Sequence, residues 1–171
     1  VLRDNPELAN VVFADNSGIV RASGRPLTEM IDMSDRKVFQ DSISNSNFSA
    51  GEFVFGRIAN LPIFQFGLPV LKSNGEAAGV ISISYDLNYL GKFLNNIHLP
   101  ARSRTLLVDS KGARLYVYAP DTDPPQIGTK LRKENWEIMS SSAKEEDTFI
   151  GIRSDKIECF FSFSKLRLNA A

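Results

Sequence analysis

The chain has 171 residues, 43% of them hydrophobic and 23% charged, an ordinary globular composition with enough apolar side chains for a core. Lys plus Arg and Asp plus Glu both number 20, so no basic excess exists to neutralise phosphates, and nucleic acid is not an expected partner. A single cysteine, Cys159, excludes an internal disulfide, and one histidine provides no metal-ligand spacing.

No stretch approaches the roughly 18 consecutive apolar residues of a membrane span. The sequence opens without Met or a leader-like apolar region, so a longer parent protein is expected. Residues 1–9, "VLRDNPELA", read as a loop or the end of a helix, with Pro6 as a stop signal. "NVVFADNSGIVRAS" then gives two strands joined at Asn16-Ser17-Gly18, where Gly supplies the positive φ of a tight reversal. A polar loop leads to "SDRKVFQDSISNS", a helix with Val38, Phe39, Ser42 and Ile43 on one face and Ser34 or Asp35 as its cap.

Three strands follow: "GEFVFGRI", "PIFQFGLPVL" and "AGVISISYDL", the last two joined by the Gly-bearing turn Lys72–Glu76. "DLNYLGKFLNNIHL" has Leu87, Leu90, Leu94 and Ile97 on one stripe, Asp86 as cap and Pro100 as terminator, a second helix. The pattern then restarts. "RTLLVDSKGARLYVYA" is another hairpin, "DTDPPQIGTK" a loop, "KENWEIMSSSA" a helix, and "TFIGIRS" and "KIECFFSFSK" two strands turning at Ser154-Asp155.

The two hairpins share one grammar: an apolar run, an Asp, two polar residues and a Gly, with Asp109 falling 94 residues after Asp15. The expected fold is therefore α+β, with two copies of one module in tandem, each a mostly antiparallel sheet flanked by helices. The first copy covers residues 1–99 and the second 100–171, the second being cut short at its C-terminal end.

The ordered set "DRKVFQDSI", "GEFVFGRI", "FGLPVLKSNGEAAGVISISYDLNYL" and "LLVDSKGARLYVYAPD" followed by "IG" resembles the double Cache family over about residues 8 to 168. Those are tandem PAS-like extracytoplasmic sensing regions of bacterial histidine kinases, diguanylate cyclases and chemoreceptors. The resemblance implies a long N-terminal helix leading from a membrane span, a membrane-distal module that binds a small molecule, and a membrane-proximal module here without its final strand. It also implies a membrane-anchored, periplasmically placed parent that works as a homodimer.

Arg36 is the first candidate binding residue. Arg near a helix N-terminus is disfavoured by about 0.3 to 1 kcal/mol unless offset, and an anion held by guanidinium and free N–H groups is one offset. Pairing with Asp32, Asp35 or Asp41 is the other. In the family an Arg of a comparable Arg-x-x-aromatic stretch contacts ligand, which adds Phe39. The two-residue strand period puts Phe53, Phe55 and Arg57 on one face and Phe64, Phe66 and Leu68 on another. Val80, Ser82, Ser84 and Asp86 share a face in "VISISYD", where small polar side chains leave room for a pocket.

Asp86 either caps the next helix or, by resemblance to amino-acid sensors, holds a ligand amine. Where those sensors place Trp and Tyr after the Arg, this chain has Val38 and Phe39, so a small organic acid is the preferred ligand over an α-amino acid. The expected binding set is Arg36, Phe39, Phe53, Phe55, Arg57, Phe66, Ser82, Ser84 and Asp86. His98, at a helix end, reads as a capping or surface residue. No G-x-G-x-x-G, Walker loop, C-x-x-C-H or H-E-x-x-H occurs, so no catalytic residue, metal or cofactor is expected. The expected function is ligand sensing for a signalling protein, a histidine kinase first, with a diguanylate cyclase, a chemoreceptor or a ligand-free spacer as alternatives.

Overall fold

A computed structural model of the chain describes residues 1–94, 99–120 and 126–166. Ile97 and His98 of the second expected helix lie outside the described residues, as do positions 121–125 of the expected loop. No helix among the described residues is long and apolar enough to cross a membrane.

The first hairpin forms where the sequence places it, from β1 (Leu8–Asp15) and β2 (Val20–Ser23). Asp15 organises the turn: its Oδ1 accepts from the N–H groups of Ser17 and Ile19, and Gly18 takes φ 89°. A side chain at Gly18 would also strike Ser34, its Cβ falling 2.6 Å from the Ser34 nitrogen. The following loop is tied back by Val20 N–H to Ile31 C=O and Met33 N–H to Gly18 C=O.

Helix α1 (Lys37–Asn45) starts later than its composition suggests. Neither Ser34 nor Asp35 caps it; Arg36 is the N-cap, with extended backbone (ψ 131°) and no capping side-chain hydrogen bond. Asp35 is diverted to Arg57, and the Ser34 carbonyl takes the side-chain amide of Gln40, which draws the chain upstream of the helix out of helical geometry. Val38, Phe39 and Ser42 form its buried face, as the 3.6-residue period requires.

Strands β3 (Ser49–Ala50), β4 (Val54–Phe55), β5 (Pro62–Leu71) and β6 (Ala77–Asp86) complete a six-stranded sheet of order β2-β1-β6-β5-β3, with β4 also paired to β5. The expected strand "GEFVFGRI" is reduced to Val54–Phe55, because Gly56 to Asn60 fold into a turn closed by Asn60 N–H to Gly56 C=O, with Asn60 at φ 51°. β6 is central, antiparallel to β1 and β5 alike. Helix α1 lies on β5 and β6, and Gly67 permits the contact: a Cβ there would sit 2.6 Å from Ser42 Oγ.

Val12, Ala14, Val20, Ile31, Met33, Val38, Phe39 and Val80 make the core between α1 and the sheet. Full burial of each large aliphatic or aromatic side chain there contributes about 1.5 to 3 kcal/mol. The opposite sheet face carries Phe64, Phe66, Leu68, Ile81 and Ile83, half-buried to exposed. Asp86 ends β6 and caps a single 3-10 turn, Leu87–Tyr89, which runs into α2 (Leu90–Leu94).

The C-terminal half repeats the elements but not the sheet. β7 (Thr105–Val108) pairs with β8 (Arg114–Tyr118); α3 (Lys133–Ser141) follows; then β9 (Glu146–Ile152) pairs with β10 (Glu158–Ser164). These are two separate two-stranded ribbons. Between them opens a cavity of about 1590 Å³. The halves are joined by Phe53 N–H to Asp109 Oδ2 (2.9 Å), a Lys111–Glu52 ion pair at 2.6 Å, and the Phe53 ring against Gly128.

Candidate functional site

Arg36, at the mouth of α1, borders a small cavity with Asn10, Met33, Arg57, Gln65 and Ser84. The cavity measures about 30 Å³, close to the volume of one water. Two of its walls come from the sheet: Ser84 on β6 and Gln65 on β5 face each other, Gln65 Nε2 donating to Ser84 Oγ at 3.3 Å. The segment Gly56 to Ala59, the turn that replaces the expected strand, closes it.

The electrostatics of Arg36 set it apart from its neighbours. Each of the three acids that the sequence offers it has another partner. Asp35 takes both Nη atoms of Arg57 (2.7 and 2.6 Å), Asp41 pairs with Lys37, and Asp32 accepts from the Ser34 N–H. Arg36 Nη2 donates to the Phe55 carbonyl at 3.1 Å, a neutral acceptor. Its pKa is held below the ordinary arginine value, first by burial and then by the nearby Arg57 charge, against the weaker pull of Asp35 and Glu52. A half-buried guanidinium in this state favours an added anion, here beside a mostly apolar cavity to which Asn10, Gln65 and Ser84 add polar groups.

Of the nine expected site residues, the structure brings Arg36, Arg57 and Ser84 to one cavity. Phe55 contributes its carbonyl, while its ring is 60% exposed. Phe39 packs in the core between helix and sheet. Phe53 reaches the C-terminal half, where its ring meets Gly128. Phe66 lies on the far face of the sheet, against Phe48 and Phe64, so it does not share a wall with Arg36.

Ser82 is buried beneath α1 beside the Gly67 position, and its hydroxyl makes no hydrogen bond among the described residues. Asp86 is buried and spends Oδ1 on the backbone and side-chain N–H groups of Asn88, the capping role. Asn10 and Gln65 were not in the expected set, yet both are buried polar side chains that line the cavity. Gln65 carried a signal: it is the one amide on the buried face of the otherwise apolar strand Pro62–Leu71.

The six-stranded antiparallel sheet with a helix across one face, followed by a second hairpin of the same design, has the PAS-like fold of the solved structures on which the chain superposes. No protein-family model matches the chain, and no curated protein matches it in sequence. Solved structures do. The extracellular domain of the candidate histidine kinase rpHK1S-Z16 superposes with a TM-score of 0.75 at 16% identity, over 94% of this chain and 66% of that one.

The sensor domain of the Vibrio cholerae histidine kinase DctB gives 0.53 at 20% identity, over 68% of this chain and 44% of that one. The ligand-binding domain of the Pseudomonas aeruginosa amino acid chemoreceptor PctC, in complex with GABA, gives 0.51 at 22%, over 63% and 48%. At these identities the likeness is one of fold. The chain spans less than two thirds of the length of each of these neighbours.

Proposed function

We propose that the chain is the extracytoplasmic ligand-sensing region of a bacterial transmembrane signalling protein, a sensor histidine kinase in the first instance. In this reading residues 1–99 form the membrane-distal binding module and residues 100–171 the membrane-proximal one, and the parent works as a homodimer. The ligand is a small organic acid whose carboxylate meets Arg36, with Ser84, Gln65 and Arg57 around it.

The observation that carries the reading is the half-buried Arg36 guanidinium, bonded to the neutral Phe55 carbonyl beside a small cavity that holds Asn10, Gln65 and Ser84, while the carboxylates of Asp35 and Asp41 are engaged by Arg57 and Lys37. Asp86, committed to its capping bonds, is poorly placed to offer an ammonium its charge, which favours an acid over an amino acid. A cavity of about 30 Å³ is far below the about 300 Å³ of ordinary ligand pockets. Binding therefore requires the turn Gly56 to Ala59 to move outward, and the ligand shifts the population between closed and open arrangements by its differential affinity.

The same small cavity favours a second reading, a spacer that transmits conformation without ligand. A thermal-shift screen against small carboxylates, amino acids and amines separates the two. At 100 times its dissociation constant a ligand adds about 2.7 kcal/mol, or roughly 5 to 10 °C for a chain of this size. A carboxylate that raises the melting temperature this far, with the shift abolished in Arg36→Ala, supports the sensor; no response across the panel supports the spacer.

A further inference from the structure

The repeat places a charge where the first half has core. Val20 and Arg114 are equivalent positions, each five residues beyond its turn aspartate and paired across the hairpin with the apolar residue just before it, Ala14 or Val108. Each also donates its N–H to the returning loop, Val20 to the Ile31 carbonyl and Arg114 to that of Thr129. Val20 belongs to the core beneath α1. Arg114 is buried as deeply, 4% exposed against 5%, and brings a guanidinium to that position. A charge so placed is costly unless it is paired.

Among the described residues no carboxylate pairs with Arg114. Asp109 spends Oδ1 on the N–H groups of Lys111 and Ala113 and Oδ2 on that of Phe53; Glu52 is held by Lys111, and Asp155 is shared by Arg104 and Arg153. Burial first, then the Arg104 charge, hold the Arg114 pKa below the ordinary arginine value, and no acid acts in the other direction. Both of its side-chain hydrogen bonds leave Nη1, to Thr129 Oγ1 at 2.8 Å and to the Lys130 carbonyl at 2.6 Å. Nε is closed off from solvent and has no hydrogen-bond partner among the described residues. The two Nη1 bonds therefore fix the guanidinium and leave its Nε–Nη2 edge uncommitted, a fork that matches the two oxygens of a carboxylate.

The Arg114 side chain borders the cavity of about 1590 Å³ between the two ribbons. Among the described residues Asp109 is the one acid in that lining, and every other charged side chain there is Arg or Lys. Leu115, Trp136 and Met139 add an apolar part, and the Trp136 ring packs over Gly112, two residues from Arg114. We infer that the C-terminal half holds an anion site of its own, in which the Nε–Nη2 edge of Arg114 takes the carboxylate of a small acid whose apolar body lies toward Trp136. Inorganic phosphate satisfies the fork but not the apolar lining, so an acid with a short alkyl chain is the favoured class. The site is separate from the one at Arg36, which borders a different cavity in the other half.

The Nε–Hε NMR resonance of Arg114, assigned through its side-chain carbons, reports on the fork directly. The protein is titrated with sodium butyrate and, separately, with inorganic phosphate, while sodium chloride holds the ionic strength constant. The resonance is expected to move and saturate with butyrate in the millimolar range, further than with phosphate, in the wild type and in Arg36→Ala alike. A resonance that neither anion moves overturns the site. Saturation by phosphate alone overturns the ligand class. Loss of the butyrate response in Arg36→Ala assigns the effect to the Arg36 cavity and overturns the inference.

Arg114→Met supplies a second measurement, since it keeps a long apolar stem and removes the charge. Relief of an uncompensated buried charge offsets the two lost hydrogen bonds, so its melting temperature in chloride should fall by no more than about 3 °C. The rise that butyrate gives the wild type should be absent from it. A butyrate-induced rise that survives in Arg114→Met would show that the acid binds elsewhere, and would overturn the assignment.

Discussion

Asp15 and Asp109 begin the same turn. In each, Oδ1 accepts the N–H groups two and four residues on, the Gly N–H returns to the Asp carbonyl, and the Gly adopts positive φ, 89° at Gly18 and 74° at Gly112. Even the loops return alike, Ile19 bridging Asp32 and Ala113 bridging Lys130 before a helix with an Arg N-cap. Beyond the turns the halves diverge. The first builds one six-stranded sheet over a continuous core; the second holds two ribbons, with Ile150, Ile157 and Phe160 exposed. A hairpin is thus written locally, whereas a sheet with a buried face waits on its central strand, because two strands alone bury too little to be stable.

If β6 is what consolidates the first half, crowding it should cost more than crowding the second. A Cβ at Gly79 would lie 2.1 Å from the Ala14 carbonyl oxygen, backbone against backbone, so Gly79→Ala must part β1 from β6. A Cβ at Gly151 would meet Asn135 Oδ1 at 2.6 Å and the edges of two Phe rings, all of which can shift. The expected losses in urea unfolding are about 3 kcal/mol for Gly79→Ala and about 1 kcal/mol for Gly151→Ala. Equal losses would mean that the two sheets are equally tight.

The turn carboxylates give the next effect. Asp109 is buried and its second oxygen holds the Phe53 N–H of the other half; Asp15 instead pairs with Arg21 on its own hairpin. Asp109→Ala strands buried donors and should cost about 2 kcal/mol, with faster exchange at the Phe53 amide. Asp15→Ala should cost clearly less and leave Phe53 unchanged. A reversed order would show that Asp109 does not couple the halves.

Much of this was legible in the sequence, and the misses share a cause. Pro62, the Lys72–Glu76 turn and the alternation in "VISISYD" mark β5 with its observed bounds and β6 one residue late at each end, both with the correct faces. Alternation says which residues share a face, but the side that a helix covers is a tertiary fact, so Phe66 was grouped with Arg36 when only Gln65 could be. The start of α1 was misplaced because Asp35, a good cap by type, is drawn to Arg57, 22 residues away. "GEFVFGRI" has strand composition and still turns at Gly56, which Asn60 in the left-handed region stabilises. The split of the second half into ribbons depends on pairing between β7 and β10 positions, which no local pattern reports.

The smallest expected effect separates Arg57 from Arg36. The bidentate Arg57 fork, by hydrogen bonding first and charge second, holds the Asp35 carboxyl below its ordinary pKa, with Arg36 a lesser contributor. A carboxyl whose folded pKa is depressed adds stability above its unfolded pKa of about 3.9, and that stability fades as pH falls through the lower folded value. Both side chains are substantially exposed, so solvent screens the pair and the change in stability is small. A carbon-detected NMR titration should therefore show Asp35 titrating below the ordinary aspartate range in the wild type, moved upward in Arg57→Ala, and still low in Arg36→Ala. An Asp35 midpoint that rises as far in Arg36→Ala as in Arg57→Ala would mean that Arg36 already has a carboxylate partner in the folded protein, and would remove the main reason for assigning it an anion.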